Sequence, residues 1–344
     1  MKVTGAKNNF RGLNNPKFLK SLEFVSDNNA LISSGVMLLA GGVIRPIMTF
    51  MTPDTPKQNK KYAAANSISS ALVGFGITKA FFTPITKSLN NVASNPEKFL
   101  NEKSIKKLQG NAKTLKESSA FNFLEQSIKM VSESLAVVPK AVLTTALIVP
   151  VLNSVFKNKN KKSNIQNEIV PNKANLNPNF SNLNNKTNII SFKGFSNKAI
   201  SKVLNNDFVQ DFAIKNKDKN IIQYLMNIKD IFATGCFVAA TYLNPKIDKK
   251  DKKPLASNIA ISTAFTITGG YIAKKMLDKP IDSFIEKLKK ANPDNPKINK
   301  YINGIKVLEP ILILSSIYYL ISPVFSTYIA GKITNKENTN GKNQ

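Results

Sequence analysis

The 344-residue chain has no histidine, no tryptophan and one cysteine, Cys236, which excludes Ser-His-Asp and Cys-His nucleophiles, imidazole metal sites, CxxC chemistry and an intramolecular disulfide. It carries 49 Lys+Arg against 21 Asp+Glu, a formal charge of +28, yet Arg11 and Arg45 are its only arginines. Sequence-reading nucleic-acid proteins use arginine for bidentate base contacts, so nucleic acid is not the expected partner; A/T-rich codon usage accounts for much of the lysine excess.

In chain order, residues 1–29 are polar and contain Lys2, Lys7, Arg11, Lys17 and Lys20, and no cleavable signal peptide is evident. The runs at 30–51, 62–85 and 135–156 each hold a single charge, Arg45, Lys79 and Lys140 in turn. The runs at 254–273 and 310–331 hold none. At about 1.5 Å per residue, each reaches roughly the 30 Å of a bilayer core. A sixth run, 231–245, is shorter and reads as a half-helix, a re-entrant piece or a span completed by 221–228. Helices of soluble proteins set a charged face opposite an apolar stripe, and these runs have no charged face. The expected fold class is therefore all-α, a multi-pass helical membrane protein.

The order of matching features predicts two tandem three-segment repeats. FRGLNNPKFLKSL (10–22) parallels FKGFSNKAISKVL (192–204), and KKYAAANSISSAL (60–72) parallels KKPLASNIAISTA (252–264). Pro84-Ile85 matches Pro280-Ile281, and Pro150-Val151 matches Pro323-Val324. The expected organisation is a polar segment at 1–29, membrane repeats at 30–156 and 189–333, an Asn/Lys-rich flexible linker at 157–188, and a disordered tail at 334–344.

Within the second run of each repeat, polar and small residues recur every fourth position: Asn66, Ser70, Gly74 and Thr78, then Asn258, Ser262, Thr266 and Gly270. Residues four apart are neighbours on a helix, so each set forms a ridge turned away from lipid. Small residues permit close helix approach and Ser, Thr and Asn hydrogen-bond across it, which makes a packing seam the first expectation. A polar path for a solute or ion is the second, and a homo-oligomer contact the third. Arg45 and Lys79 sit where they can snorkel to headgroups; facing inward, they would contact anions. Glu309 reads as a capping or solvent-exposed acid. Gly74-Phe75-Gly76 begins a GxGxxG-like string, but Lys79 stands where its third glycine belongs. The apolar faces Phe121, Leu124, Ile128 and Val131, and Ile281, Phe284, Ile285 and Leu288, suit helices lying on an anionic membrane surface.

Six full crossings place the halves in opposite orientations and divide the Lys and Arg outside the runs 21 to 25 between the two faces. Re-entrant third runs, broken at their prolines, would make the halves parallel and give 38 to 8. The length of the third runs favours six crossings. Two functions follow: a small transporter or channel with Arg45 and the stripes on its path, or a non-catalytic scaffold whose basic connectors bind anionic lipid or a partner protein. No run pairs an acid or nucleophile with a base, so no catalytic residue, metal or cofactor is expected. The expected location is the bacterial plasma membrane.

Overall fold

The computed structural model describes residues 12–156, 197–217 and 221–340; the expected linker at 157–188 lies outside them. Every regular element among these residues is helical. The α-helices are α1 Pro16–Asp27, α2 Asn29–Leu39, α3 Arg45–Phe50, α4 Lys57–Ile77, α5 Thr83–Ser94, α6 Glu102–Gln109, α7 Ser119–Phe156, α8 Asn197–Leu204, α9 Asp207–Asn216, α10 Ile221–Leu243, α11 Lys249–Ala291, α12 Ile298–Ser315 and α13 Ser322–Asn340. The last continues to Asn340, into the segment expected to be a disordered tail, and residues 341–344 lie outside the described ones.

Three wide π-turns, Ala40–Ile44, Thr78–Phe82 and Ser316–Ile321, join α2 to α3, α4 to α5 and α12 to α13. Each is followed, at the second residue of the resuming helix, by a proline: Pro46, Pro84 or Pro323. A proline ring collides with the carbonyl four residues back and offers no N–H to it. That carbonyl belongs to Gly42, Ala80 or Tyr319, inside the widened turn, where the extra residue relieves the collision. By contrast, α7 keeps Pro139 and Pro150 within one helix, so the run at 135–156 is unbroken.

Among the described residues, four helical rods are long and apolar enough to cross a membrane: Ile32–Phe50, Lys57–Ser94, Ser119–Phe156 and Ile298–Ile333. That is fewer than the six runs expected. The sixth run belongs to α10, which is continuous with 221–228 but carries Lys229 and Asp230. The run at 254–273 belongs to α11 and is diluted by its own polar stripe. Large side chains stand exposed on the rods, among them Leu39, Val43 and Ile47, then Leu135, Val138 and Val142, and Leu312, Leu320 and Phe325. Leu135 is 69% exposed. Apolar surface on this scale marks a face made for lipid or for another protein.

The chain forms two compact units, one of Met1–Lys79, Met130–Val151 and Asn220–Gln344, the other of Ala80–Lys129 and Leu152–Lys219. In the smaller unit, α8 packs on α5 and α9 on α6, with Leu89, Leu108, Phe121, Ile200 and Leu204 fully buried. Gln210 Nε2 donates to Ser104 Oγ and to the Leu204 carbonyl, each at 2.7 Å. Lys103 lies 3.0 Å from Asp207, and this contact, with Lys107 behind it, holds the Asp207 carboxyl below the usual range. Phe121 and Leu124 are buried in protein rather than laid on a membrane surface.

In the larger unit, hydrogen bonds fix the sense of each helix pair. Ser67 Oγ donates to the Gly41 carbonyl at 2.5 Å and Lys60 Nζ to that of Phe50 at 3.2 Å, so α4 runs antiparallel to α2–α3. Asn227 meets Tyr271 at 2.5 Å and Thr234 meets Thr263 at 2.6 Å, so α10 and α11 are antiparallel. Asn258 bonded to Thr327 and Ser262 to Ser322 make α11 and α13 antiparallel. Lys229 pairs with Glu133 at 2.6 Å and Asn244 Nδ2 donates to the Thr145 carbonyl at 2.8 Å, which makes α7 and α10 parallel. Thus α7 and α13 run in the same sense as α10, and α11 runs against all three.

A separate cluster joins α1 to the end of α11 and the start of α12: Leu19 and Leu22 pack with Ile285, Leu288, Tyr301, Ile302 and Ile305, and Ile281 and Phe284 lie against them. The apolar face at 280–290 is therefore taken by α1, not by a membrane surface. Gly304 lets the Leu22 carbonyl approach so closely that any Cβ there would overlap it.

Candidate functional site

The second polar stripe lies on α11, which packs against α4, α10, α12 and α13. Asn258 is 5% exposed and Ser262 2%. Asn258 Nδ2 donates to Ser326 Oγ at 3.2 Å and to Thr327 Oγ1 at 2.8 Å. The hydroxyls of Ser262 and Ser322 meet at 2.7 Å. One turn on, Thr266 Oγ1 donates back to the Ser262 carbonyl of its own helix at 2.8 Å. At Gly270 an added Cβ would touch Leu314 at 3.4 Å. This stripe forms a polar seam between α11 and the α12–α13 rod.

Arg45 enters that seam from α3. It is 6% exposed and does not snorkel. Its Nη2 donates to Ser262 Oγ at 2.6 Å and its Nη1 to the Tyr318 carbonyl at 3.3 Å, while the guanidinium carbon lies 4.0 Å from the centre of the Tyr318 ring. The carbonyl of Arg45 accepts from Thr49 Oγ1 at 2.8 Å. No ion pair to Arg45 is formed among the described residues; its partners are hydroxyl, carbonyl and ring. Moving such a cation from water costs several kcal/mol. A desolvated cation–π contact returns about 2 kcal/mol and a charge-assisted hydrogen bond roughly 1.5–3.

The first stripe meets other neighbours. Gly74 is buried, and a Cβ there would come within 2.9 Å of Met37 and 3.6 Å of Lys140 Nζ. Asn66 is half-buried, and its Oδ1 is buried with no hydrogen-bond partner. Ser70 and Thr78 are half-buried. The bond to the facing helix comes from Ser67, one residue outside the stripe. Lys79 is exposed, its Nζ 5.7 Å from the Phe75 ring centre, and Glu309 is half-buried. The two stripes thus pack on different partners, Met37 and Lys140 for one, α13 for the other.

Sequence reasoning missed the opposite wall of the seam, Ser322, Ser326 and Thr327, and the Tyr318 ring. The signal was there: Ser322 and Ser326 stand four apart in the uncharged run 310–331. Among the described residues, no group of three or more His, Cys, Asp or Glu is placed to hold a metal ion. What the site offers is a fixed positive charge with hydroxyls beside it.

No family model, curated protein or solved structure matches the chain. Function has to be argued from this geometry.

Proposed function

We propose that the chain is a non-catalytic integral membrane protein, a helical scaffold whose intramembrane polar residues hold its helices together. The observation that carries this reading is the seam: Asn258 and Ser262 are buried and bonded across to Ser326, Thr327 and Ser322, so their polarity is used in packing. Between helices in lipid, such bonds average about 0.6 kcal/mol each and reach roughly 1.7.

A second reading, a small anion transporter or channel, is favoured by one observation: Arg45 is a buried cation whose described partners are all neutral. An ionisable residue within a membrane bundle is one of the marks of an ion path. Chloride and phosphate flux into vesicles carrying the purified protein separates the two. The scaffold reading expects no flux above that of empty vesicles. Flux that disappears in Arg45→Gln, while the variant stays folded, overturns it in favour of transport.

The architecture belongs to the same proposal, two copies of one three-helix unit. It is supported by matching order: α2–α3, α4–α5 and α7 in the first half, α10, α11 and α12–α13 in the second. The leading helices add to it. In the larger unit α1, from the first half, packs on α11 and α12 of the second, and in the smaller unit α8, from the second half, packs on α5 of the first.

A further inference from the structure

We propose that Lys140 and Thr144 of α7 form an intramembrane site for a small monovalent anion such as chloride, which helps to hold α7 against α4. This rests on the membrane reading above, because in water an ammonium group needs no protein partner. Three observations carry it.

The first is where the Lys140 side chain goes. Lys140 lies five residues beyond Leu135, where the apolar run 135–156 begins, close enough for its side chain to reach the headgroups. Its ammonium lies instead against α4, 3.6 Å from where a Cβ on Gly74 would stand. Gly74 is central in the run 62–85, about 18 Å of helix from Tyr62 and roughly 17 Å from Ile85. That is the middle of a bilayer core. The charge is held at mid-depth rather than raised to a membrane surface.

The second is what the ammonium lacks. Among the described residues, Lys140 forms no hydrogen bond and no ion pair. The charged groups near enough to act on it are Lys229, Glu133 and Asp230. Lys229 already holds Glu133 at 2.6 Å and Asp230 at 3.5 Å, and these two acids precede the apolar runs that start at Leu135 and Ile231. Arg45 differs, since its guanidinium is met by Ser262 and by the carbonyl and ring of Tyr318. A cation at membrane mid-depth calls for a partner.

The third is Thr144, one turn further along α7. It is fully buried, and its hydroxyl has no hydrogen-bond partner. The adjacent Thr145 satisfies itself on the Ala141 carbonyl at 3.0 Å; Thr144 makes no such bond. Residues four apart on a helix are neighbours, so the Thr144 O–H and the Lys140 N–H groups can converge on one acceptor. Met37 closes in on the same place, 2.9 Å from the Cβ position of Gly74, which keeps that acceptor small. A compact anion suits this set: it takes both donors and balances the charge through charge-assisted bonds.

The test is thermal unfolding of the full-length protein, purified in detergent, in sodium chloride against sodium gluconate at equal ionic strength. The midpoint is expected to climb with the logarithm of chloride concentration, as for any ligand that binds only the folded state. The climb should vanish in Lys140→Met and in Thr144→Val, each close in volume to the native side chain. It should persist in Lys79→Met, which removes an exposed lysine. A midpoint indifferent to chloride, or a climb that survives in Lys140→Met or Thr144→Val, overturns the proposal. A climb lost in Arg45→Met but kept in Lys140→Met also overturns it and moves the anion to the seam. Should Lys140→Met fail to fold, Thr144→Val carries the same comparison. None of these results touches the membrane reading; release of the protein by alkaline wash overturns that reading, and this proposal with it.

Discussion

Arg45 and Ser262 are 217 residues apart in sequence and 2.6 Å apart in space. Their bond ties α3 to the seam of α11 and α13, because Ser262 also meets Ser322 at 2.7 Å. Removing the guanidinium leaves that serine pair intact, so the size of the replacement decides the outcome. Arg45→Met fills the volume without a charge to desolvate, and it should hold stability within about 1 kcal/mol or raise it. Arg45→Ala leaves a void beside Tyr318 and should cost roughly 2–4 kcal/mol. Thermal unfolding in detergent reads both. Equal losses in the two variants would mean that the charge itself holds the seam.

Asn258 bonds Ser326 and Thr327 from one side-chain nitrogen, so the two contacts are coupled. Asn258→Ala should lose about 1–2 kcal/mol, and Ser326→Ala with Thr327→Val about the same. The triple variant should lose little more than either, because all of them break the same bonds. Additive losses from unfolding titrations would show that the seam is held by packing alone.

The apolar helices were legible in the sequence because hydropathy specifies them: apart from Met51, the apolar runs at 30–51, 62–85, 135–156, 254–273 and 310–331 all lie within helical rods. Even the seam face of α11 showed in the fourfold spacing of Asn258 and Ser262. What covers an apolar face did not show. Phe284 and Ile285 have the pattern of a helix on a lipid surface, and α1 packs there instead; a hydrophobic face is alike toward lipid and protein. Arg45 misled for a related reason, since distance from a segment's end allows snorkelling and only the position of Ser262 and Tyr318 turns the side chain inward. The parallel pairing of α7 and α10 was hidden because it depends on contacts such as Glu133 with Lys229, far apart in the chain.

Gly304 and Gly76 give opposite expectations for one substitution. A Cβ at Gly304 would fall on the Leu22 backbone carbonyl, which cannot yield without moving α1. Gly304→Ala should cost roughly 1–3 kcal/mol and undock α1, read as faster amide exchange at Leu19 and Leu22. Gly76, near the end of α4, has nothing within 4 Å of an added Cβ. There the alanine only restricts the unfolded chain, and Gly76→Ala should gain about 0.5–1 kcal/mol. A neutral Gly304→Ala would sink the close approach of α1 and α12.

Asp251, in the first turn of α11 ahead of the apolar run, is 3% exposed and has one carboxyl oxygen, Oδ2, without a hydrogen-bond partner. Burial pushes its pKa above the usual aspartate range, and hydrogen bonds from Gln58 and Tyr62 reduce the rise without cancelling it. A carboxyl whose pKa is higher folded than unfolded contributes stability that is complete below the unfolded value, about 3.9. That contribution is lost as pH rises through the folded value, because the native state then holds a poorly solvated anion. Asp251→Asn keeps a polar group between Gln58 and Tyr62 and removes the charge. It should raise the unfolding midpoint by a few degrees at pH 7 and have almost no effect at pH 3. Melting curves of the two proteins from pH 3 to pH 8 check this. A loss of stability that is the same at every pH would mean that the carboxylate's hydrogen bonds outweigh its desolvation.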